Sequence, residues 1–123
     1  MERPLILVCD DEPNIMELIE DILLWEGYDV VTCQNCEEAI EIVRLQAPAL
    51  VIADICLPGK SGAMLLEDIR TFNGSTPFIG ISGHTQDDPD VKRLLQAGAD
   101  AFFSKPFQIP EMVRTINSIL ALR

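Results

Sequence analysis

Five short, mostly apolar runs alternate with five amphipathic segments along this chain, and that alternation constrains its fold more than any other feature. The runs are Leu5–Cys9, Asp29–Cys33, Ala49–Ala53, Phe78–Ile81 and Ala101–Phe103. The first and third are apolar throughout, as strands buried on both faces should be. The segments that follow them have helical spacing. Ile15, Leu18, Ile19, Ile22 and Leu23 fall at i, i+3, i+4, i+7 and i+8, and Gly27 ends that helix. Asn35 caps the second helix, with Glu38 completing a capping-box pattern and Ala39, Ile40 and Val43 facing inward. Leu57–Lys60 reads as a loop, and Ser61 caps a third helix carrying Leu65, Leu66 and Ile69 inward. Asp87 or Asp88 caps the fourth, with Pro89 in its first turn, Val91, Leu94 and Leu95 inward, and Gly98 stopping it. The last starts near Pro110 and presents Met112, Val113, Ile116, Ile119 and Leu120 to the core.

Strands alternating with helices imply an α/β fold, a doubly wound parallel sheet covered on both faces. Right-handed crossovers bring every strand's C-terminal end to one edge of the sheet, where ligands bind. The chain has 123 residues, 48% of them hydrophobic, which suits one ordered domain over residues 1–123. The longest apolar run, Leu5–Cys9, is far too short to span a bilayer, and the first residues do not read as a signal peptide. A soluble, cytoplasmic protein is expected. The net charge of −11 argues against nucleic-acid binding by this domain and favours cations and basic partner surfaces.

The polar residues at the strand ends carry the chemistry. Asp10, Asp11 and Glu12 follow the first strand, Asp54 the third, Ser82 the fourth and Lys105 the fifth. Packed carboxylates raise one another's pKa, and a hard divalent cation relieves the conflict. Mg²⁺ suits such a set, because it takes oxygen ligands, keeps several waters and binds phosphate oxygens as well. Asp11 and Asp54 fit as side-chain ligands, with Asp10 acting through a bound water. A carboxylate such as Asp54 also serves as nucleophile toward a phosphoryl group. Lys105 would add positive charge and Ser82 a hydrogen bond.

Taken singly, each residue has a plainer explanation. Asp10 and Asp11 alone read as helix caps, and Asp54 alone as a loop residue. The information lies in their joint arrival at one edge. Of the four cysteines, Cys9, Cys33 and Cys36 lie in or beside strand-like runs and Cys56 follows Asp54. Cys33 and Cys36 form a C-x-x-C, but with no second pair or histidine cluster they read as small core residues.

At this point the chain resembles the receiver domain of two-component response regulators, of the chemotaxis-regulator type. The motifs are Cys9-Asp10-Asp11-Glu12, Asp54-Ile55-Cys56-Leu57-Pro58-Gly59, Ile81-Ser82-Gly83 and Phe102-Phe103-Ser104-Lys105-Pro106-Phe107, and they span essentially the whole chain. The resemblance implies a flavodoxin-like fold, strand order 2-1-3-4-5, flanked by five helices. It implies that Asp54 accepts phosphate from a sensor histidine kinase or a histidine phosphotransfer protein. Asp10, Asp11 and Asp54, with the backbone carbonyl of Cys56, would hold Mg²⁺. Lys105 would pair with Asp54 and then with the phosphoryl group, and its bond to Pro106 would be cis. Ser82 and Phe102 would be the switch pair, altering the surface of the fourth helix, fifth strand and fifth helix toward a downstream protein or a fused output domain. The chemistry expected is weak self-phosphorylation and self-dephosphorylation rather than that of a metabolic enzyme.

Some positions depart from the family's commoner residues. Ser and Phe stand at 82 and 102, where Thr and Tyr are frequent, so Phe102 lacks a phenol to fix its outward state. Cys56 and His84 occupy positions that resemble those tuning phosphate lifetime, and His84 reads as a solvated loop histidine rather than a general base. Gly80 inside the fourth strand points to close backbone approach or a weakened strand. The main alternative is a pseudo-receiver, an interaction module without phosphate turnover, against which the full acidic set, Asp54 and Lys105 argue. A Mg²⁺-dependent phosphohydrolase would want Asp where Cys56 stands, and Asp10-Asp11-Glu12 would repel a flavin phosphate.

Overall fold

The computed structural model describes residues 3–57, 60–83 and 88–121. The strands are β1 (Leu5–Cys9), β2 (Asp29–Cys33), β3 (Leu50–Asp54), β4 (Cys56–Leu57), β5 (Lys60–Ser61), β6 (Phe78–Ser82) and β7 (Ala101–Ser104). The helices are α1 (Pro13–Trp25), α2 (Cys36–Gln46), α3 (Gly62–Phe72), α4 (Pro89–Gln96) and α5 (Ile109–Ala121). Five strands form one parallel sheet in the order β2-β1-β3-β6-β7. This is the expected 2-1-3-4-5 order once β4 and β5, which pair only with each other, are set aside. Among the described residues no helix is long and apolar enough to cross a membrane.

Strand alternation explains why the runs are apolar throughout. Ile6 and Val8 of β1 face a layer containing Ile19 and Leu23 of α1 and Met112 and Ile116 of α5. Leu7 and Cys9 face the opposite layer, which holds Ala39 and Val43 of α2, Leu65, Leu66 and Ile69 of α3, and Val91 and Leu94 of α4. β3 and β6 divide in the same way, and every residue of both is buried.

Helix ends follow local chemistry. Asn35 accepts a hydrogen bond from Glu38 N (2.9 Å), Ser61 from Met64 N (3.3 Å) and Asp88 from Asp90 N (2.8 Å). Of the two candidate caps for α4, Asp88 therefore serves, and Asp87 lies outside the described residues. Gly27 and Gly98, just beyond α1 and α4, take φ of +98° and +104°, which glycine adopts without strain.

Several sequence expectations need correction. Leu18 and Leu95 are 43% and 42% exposed rather than inward, because each lies at the margin of its helix's apolar stripe. The predicted loop at Leu57–Lys60 contributes to a small hairpin, in which Cys56 pairs with Ser61 and Leu57 with Lys60. β3 extends to include Asp54, and β6 and β7 extend to Ser82 and Ser104.

Candidate functional site

The site sits where β1, β3, β6 and β7 end. Asp10 is fully buried, and its Oδ1 accepts a hydrogen bond from Glu12 N at 2.8 Å. That turn leaves Glu12 as the N-cap of α1, and no side chain caps the helix. The acidic pair is thus not consumed in capping. Asp54, 6% exposed, closes β3. Its Oδ1 accepts from Cys56 N at 2.9 Å, a donor positioned by the β4–β5 hairpin, and its Oδ2 accepts from Lys105 Nζ at 2.9 Å. Lys105 is anchored where β7 leaves the sheet by its backbone N–H to Ser82 O (2.6 Å), and its peptide bond to Pro106 is cis. The ammonium also meets Glu12 Oε1 at 3.0 Å and Asp10 Oδ2 at 3.2 Å.

Asp10, Asp11, Glu12 and Asp54 place carboxylate oxygens within 4.8 Å of one another. Like charges at that spacing repel by on the order of 3–4 kcal/mol per pair at an effective dielectric near 20. One ammonium cannot offset four carboxylates. Asp10 Oδ2 is also buried without a hydrogen bond, since Lys105 lies within ion-pair distance but is not aligned to donate to it. A buried oxygen with an ion-pair partner but no hydrogen bond, set among hard oxygen donors, fits a divalent cation.

The titration of the site has a definite sign. Burial pushes the Asp10 carboxyl above its ordinary value, as does the charge of Asp54, while the Glu12 N–H and Lys105 act the other way. The folded state therefore holds a proton that the unfolded chain releases. Stability from this group falls as pH rises from the unfolded carboxylate's value of about 3.9 through the raised folded value. In chelator, Asp10→Asn should gain on the wild type as pH rises across that window. Urea midpoints compared at each pH check this, and parallel pH curves for the two proteins would contradict it. Burial alone would lower the Lys105 pKa, but hydrogen bonds to Asp54 and Glu12 and the charges of Asp54 and Asp10 hold it above its ordinary value.

The remaining expected residues divide. Ser82 is buried at the end of β6, one residue beyond the register partner of Asp54. Phe102 is half-buried in β7, against the core layer of α2, α3 and α4. Cys9, Cys33 and Cys36 are buried free thiols that belong to the core layer of α2, α3 and α4. His84, Pro58 and Gly59 lie outside the described residues. The sequence did not reveal that Glu12 grips Lys105 from 93 positions away. Nor did it reveal the hairpin that orients Cys56 N, although Pro58-Gly59 was a turn signal that could have suggested it.

The family profile described as the response regulator receiver domain matches residues 6–117. The chain belongs to that family. Among curated relatives, this receiver domain is 34% identical to the DNA-binding response regulator MtrA of Mycolicibacterium smegmatis, over 96% of the chain and 51% of that protein. It is 32% identical to the probable transcriptional regulatory protein TcrX of Mycobacterium tuberculosis, over 94% of the chain and 49% of that protein. The receiver domain thus spans about half the length of the curated relatives it matches. A crystal structure of a CheY-like receiver domain protein from Methanospirillum hungatei superposes with a TM-score of 0.91 at 28% identity, covering 98% of this chain and 95% of that one. The receiver domain of NtrX from Brucella abortus gives 0.88 at 32% identity, covering 96% and 99%.

Proposed function

We propose that this receiver domain accepts a phosphoryl group on Asp54, in a Mg²⁺-dependent reaction, from a phosphohistidine of a sensor histidine kinase or histidine phosphotransfer protein. The observation that carries this reading is the setting of Asp54. One carboxylate oxygen is held by Cys56 N–H and the other by Lys105, beside the carboxylates of Asp10 and Asp11. Asp10, Asp11 and Asp54, with the Cys56 carbonyl, would hold Mg²⁺, which when bound supplies positive charge to the phosphoryl oxygens.

The chain's own residues do the rest. An Asp54 oxygen attacks phosphorus, the P–N bond to the imidazole breaks, and the electron pair leaves with the ring nitrogen. The product is an aspartyl phosphate. Lys105 shifts its ammonium from carboxylate to phosphoryl oxygen, and Ser82 donates its hydroxyl to another. Phe102 then turns inward, and the surface of α4, β7 and α5 changes toward a downstream protein or a fused output domain. The chemistry is that of a signalling phosphoacceptor with slow self-dephosphorylation.

Incubation with acetyl phosphate and Mg²⁺ tests the reading. Intact-protein mass should rise by a single acid-stable, base-labile phosphoryl group. Asp54→Asn and chelator should each abolish it. Rapid multiple turnover of organic phosphates would point to a hydrolase instead, and failure to bind Mg²⁺ would overturn the role given to Asp10 and Asp11.

A further inference from the structure

Ile55, directly after Asp54, is clasped by two glycines. A Cβ at Gly62 would stand 2.9 Å from Ile55 Cα, and one at Gly80 would stand 3.1 Å from Ile55 Cγ2. Backbone hydrogen bonds fix the clasp, Gly62 N to Ile55 O at 2.9 Å and Ile55 N to Ile81 O at 3.0 Å. Gly80 receives a second side chain. A Cβ there would lie 2.2 Å from Leu94 Cδ2 and 3.6 Å from Leu94 Cγ. Leu94 therefore occupies the space that any other residue at position 80 would fill. It is fully buried, and with Val91 it holds α4 to the sheet.

The same space borders the switch aromatic. Across the sheet the row reads Ala53, Gly80, Phe102, in direct register. Register partners on parallel strands project to the same face, and Phe102 packs on the core cluster that contains Ala53, Ile55 and Leu94. Packed interiors leave no room for two side chains in one place. Phe102 also has no phenol, so no outward hydrogen bond can set its bias.

We propose that Leu94 and the Phe102 ring compete for the space over Gly80, so that inward rotation of Phe102 unseats Leu94 and with it α4. The proposal rests on the phosphoacceptor reading, and it makes packing against α4 the element that sets the switch's resting state. Core side chains with discrete arrangements supply the bistability such a device needs.

The test is fluorine NMR on protein carrying 4-fluorophenylalanine at position 102, with and without Mg²⁺ and beryllofluoride. In the wild type the resonance should move when the adduct forms. Leu94→Ala empties the space, so the resonance without beryllofluoride should already lie most of the way to the activated position. Gly80→Ala places a methyl in the space, so the adduct should still form while the resonance stays at the resting position. The double variant Gly80→Ala/Leu94→Ala should return the resting resonance toward wild type, and it supplies the comparison if Gly80→Ala alone does not fold. A Leu94→Ala resting resonance identical to wild type overturns the competition. Absence of any wild-type adduct overturns the phosphoacceptor reading instead, and the Leu94→Ala resting spectrum, which needs no adduct, still decides the competition.

Discussion

Lys105→Ala should lower stability by about 3 kcal/mol in metal-free buffer, with Mg²⁺ restoring most of the loss. The lysine stands between Asp54, Glu12 and Asp10 at 2.9, 3.0 and 3.2 Å. Asp10 and Asp54 are buried, so truncation leaves two carboxylates in a poorly solvated site without their cation. Removing one partner of a buried pair costs about 3–5 kcal/mol. The lower end applies because Glu12 is solvated and Asp10, already pushed up in pKa, can take a proton. The raised pKa of Lys105 places its contribution fully below its ordinary value and loses it only in strong alkali, so the whole effect is present at neutral pH. An ion bound at a hundred times its dissociation constant returns about 2.7 kcal/mol. The same variant should take up phosphate from acetyl phosphate roughly a hundredfold to a thousandfold more slowly, as expected for loss of one preorganised charge donor. Urea melts with and without Mg²⁺, together with the uptake rate, check both parts. A Lys105→Ala protein that is as stable as wild type in chelator contradicts the electrostatic account of the site.

Phe78→Ala should cost about as much or more, for an unrelated reason. Phe78 heads the fully buried side chains in volume, and it lies in β6, which pairs with both β3 and β7. Deleting such a ring costs about 3–5 kcal/mol, against total stabilities of about 5–15 kcal/mol for a domain. The hydrogen bond from Phe78 N to Asp100 and the ion pair of Asp100 with Arg70 should persist, since they use the backbone and not the ring. The folded fraction should therefore phosphorylate at the wild-type rate while the urea midpoint falls. A loss confined to phosphorylation, with the midpoint unchanged, contradicts this division between core and site.

The two kinds of residue differed in how openly the sequence displayed them. The apolar runs of β1, β3 and β6 announced a sheet covered on both faces because burial on both sides suppresses polar alternation. Asp10, Asp54, Ser82 and Lys105 could be placed together because parallel strands with right-handed crossovers leave no other edge for them. Leu18 and Leu95 were misplaced because helical periodicity gives the centre of a buried stripe and leaves its margins to the way a helix crosses the sheet. The β4–β5 hairpin, two residues a side, is too short to show any period. Glu12 looked like part of a motif and gave no sign of its contact with Lys105, which exists only once β1 and β7 are folded. Gly80 announced a close approach of backbone, whereas the group that comes closest is the Leu94 side chain, a property of how α4 packs.

On the proposed function, Asp54 itself carries the phosphoryl group. Borohydride converts an aspartyl phosphate to homoserine, so reduction after treatment with acetyl phosphate and Mg²⁺, followed by peptide mass mapping, reads the site directly. Homoserine is expected at position 54 and at no other aspartate. Homoserine at Asp10 or Asp11 with position 54 unchanged would contradict it.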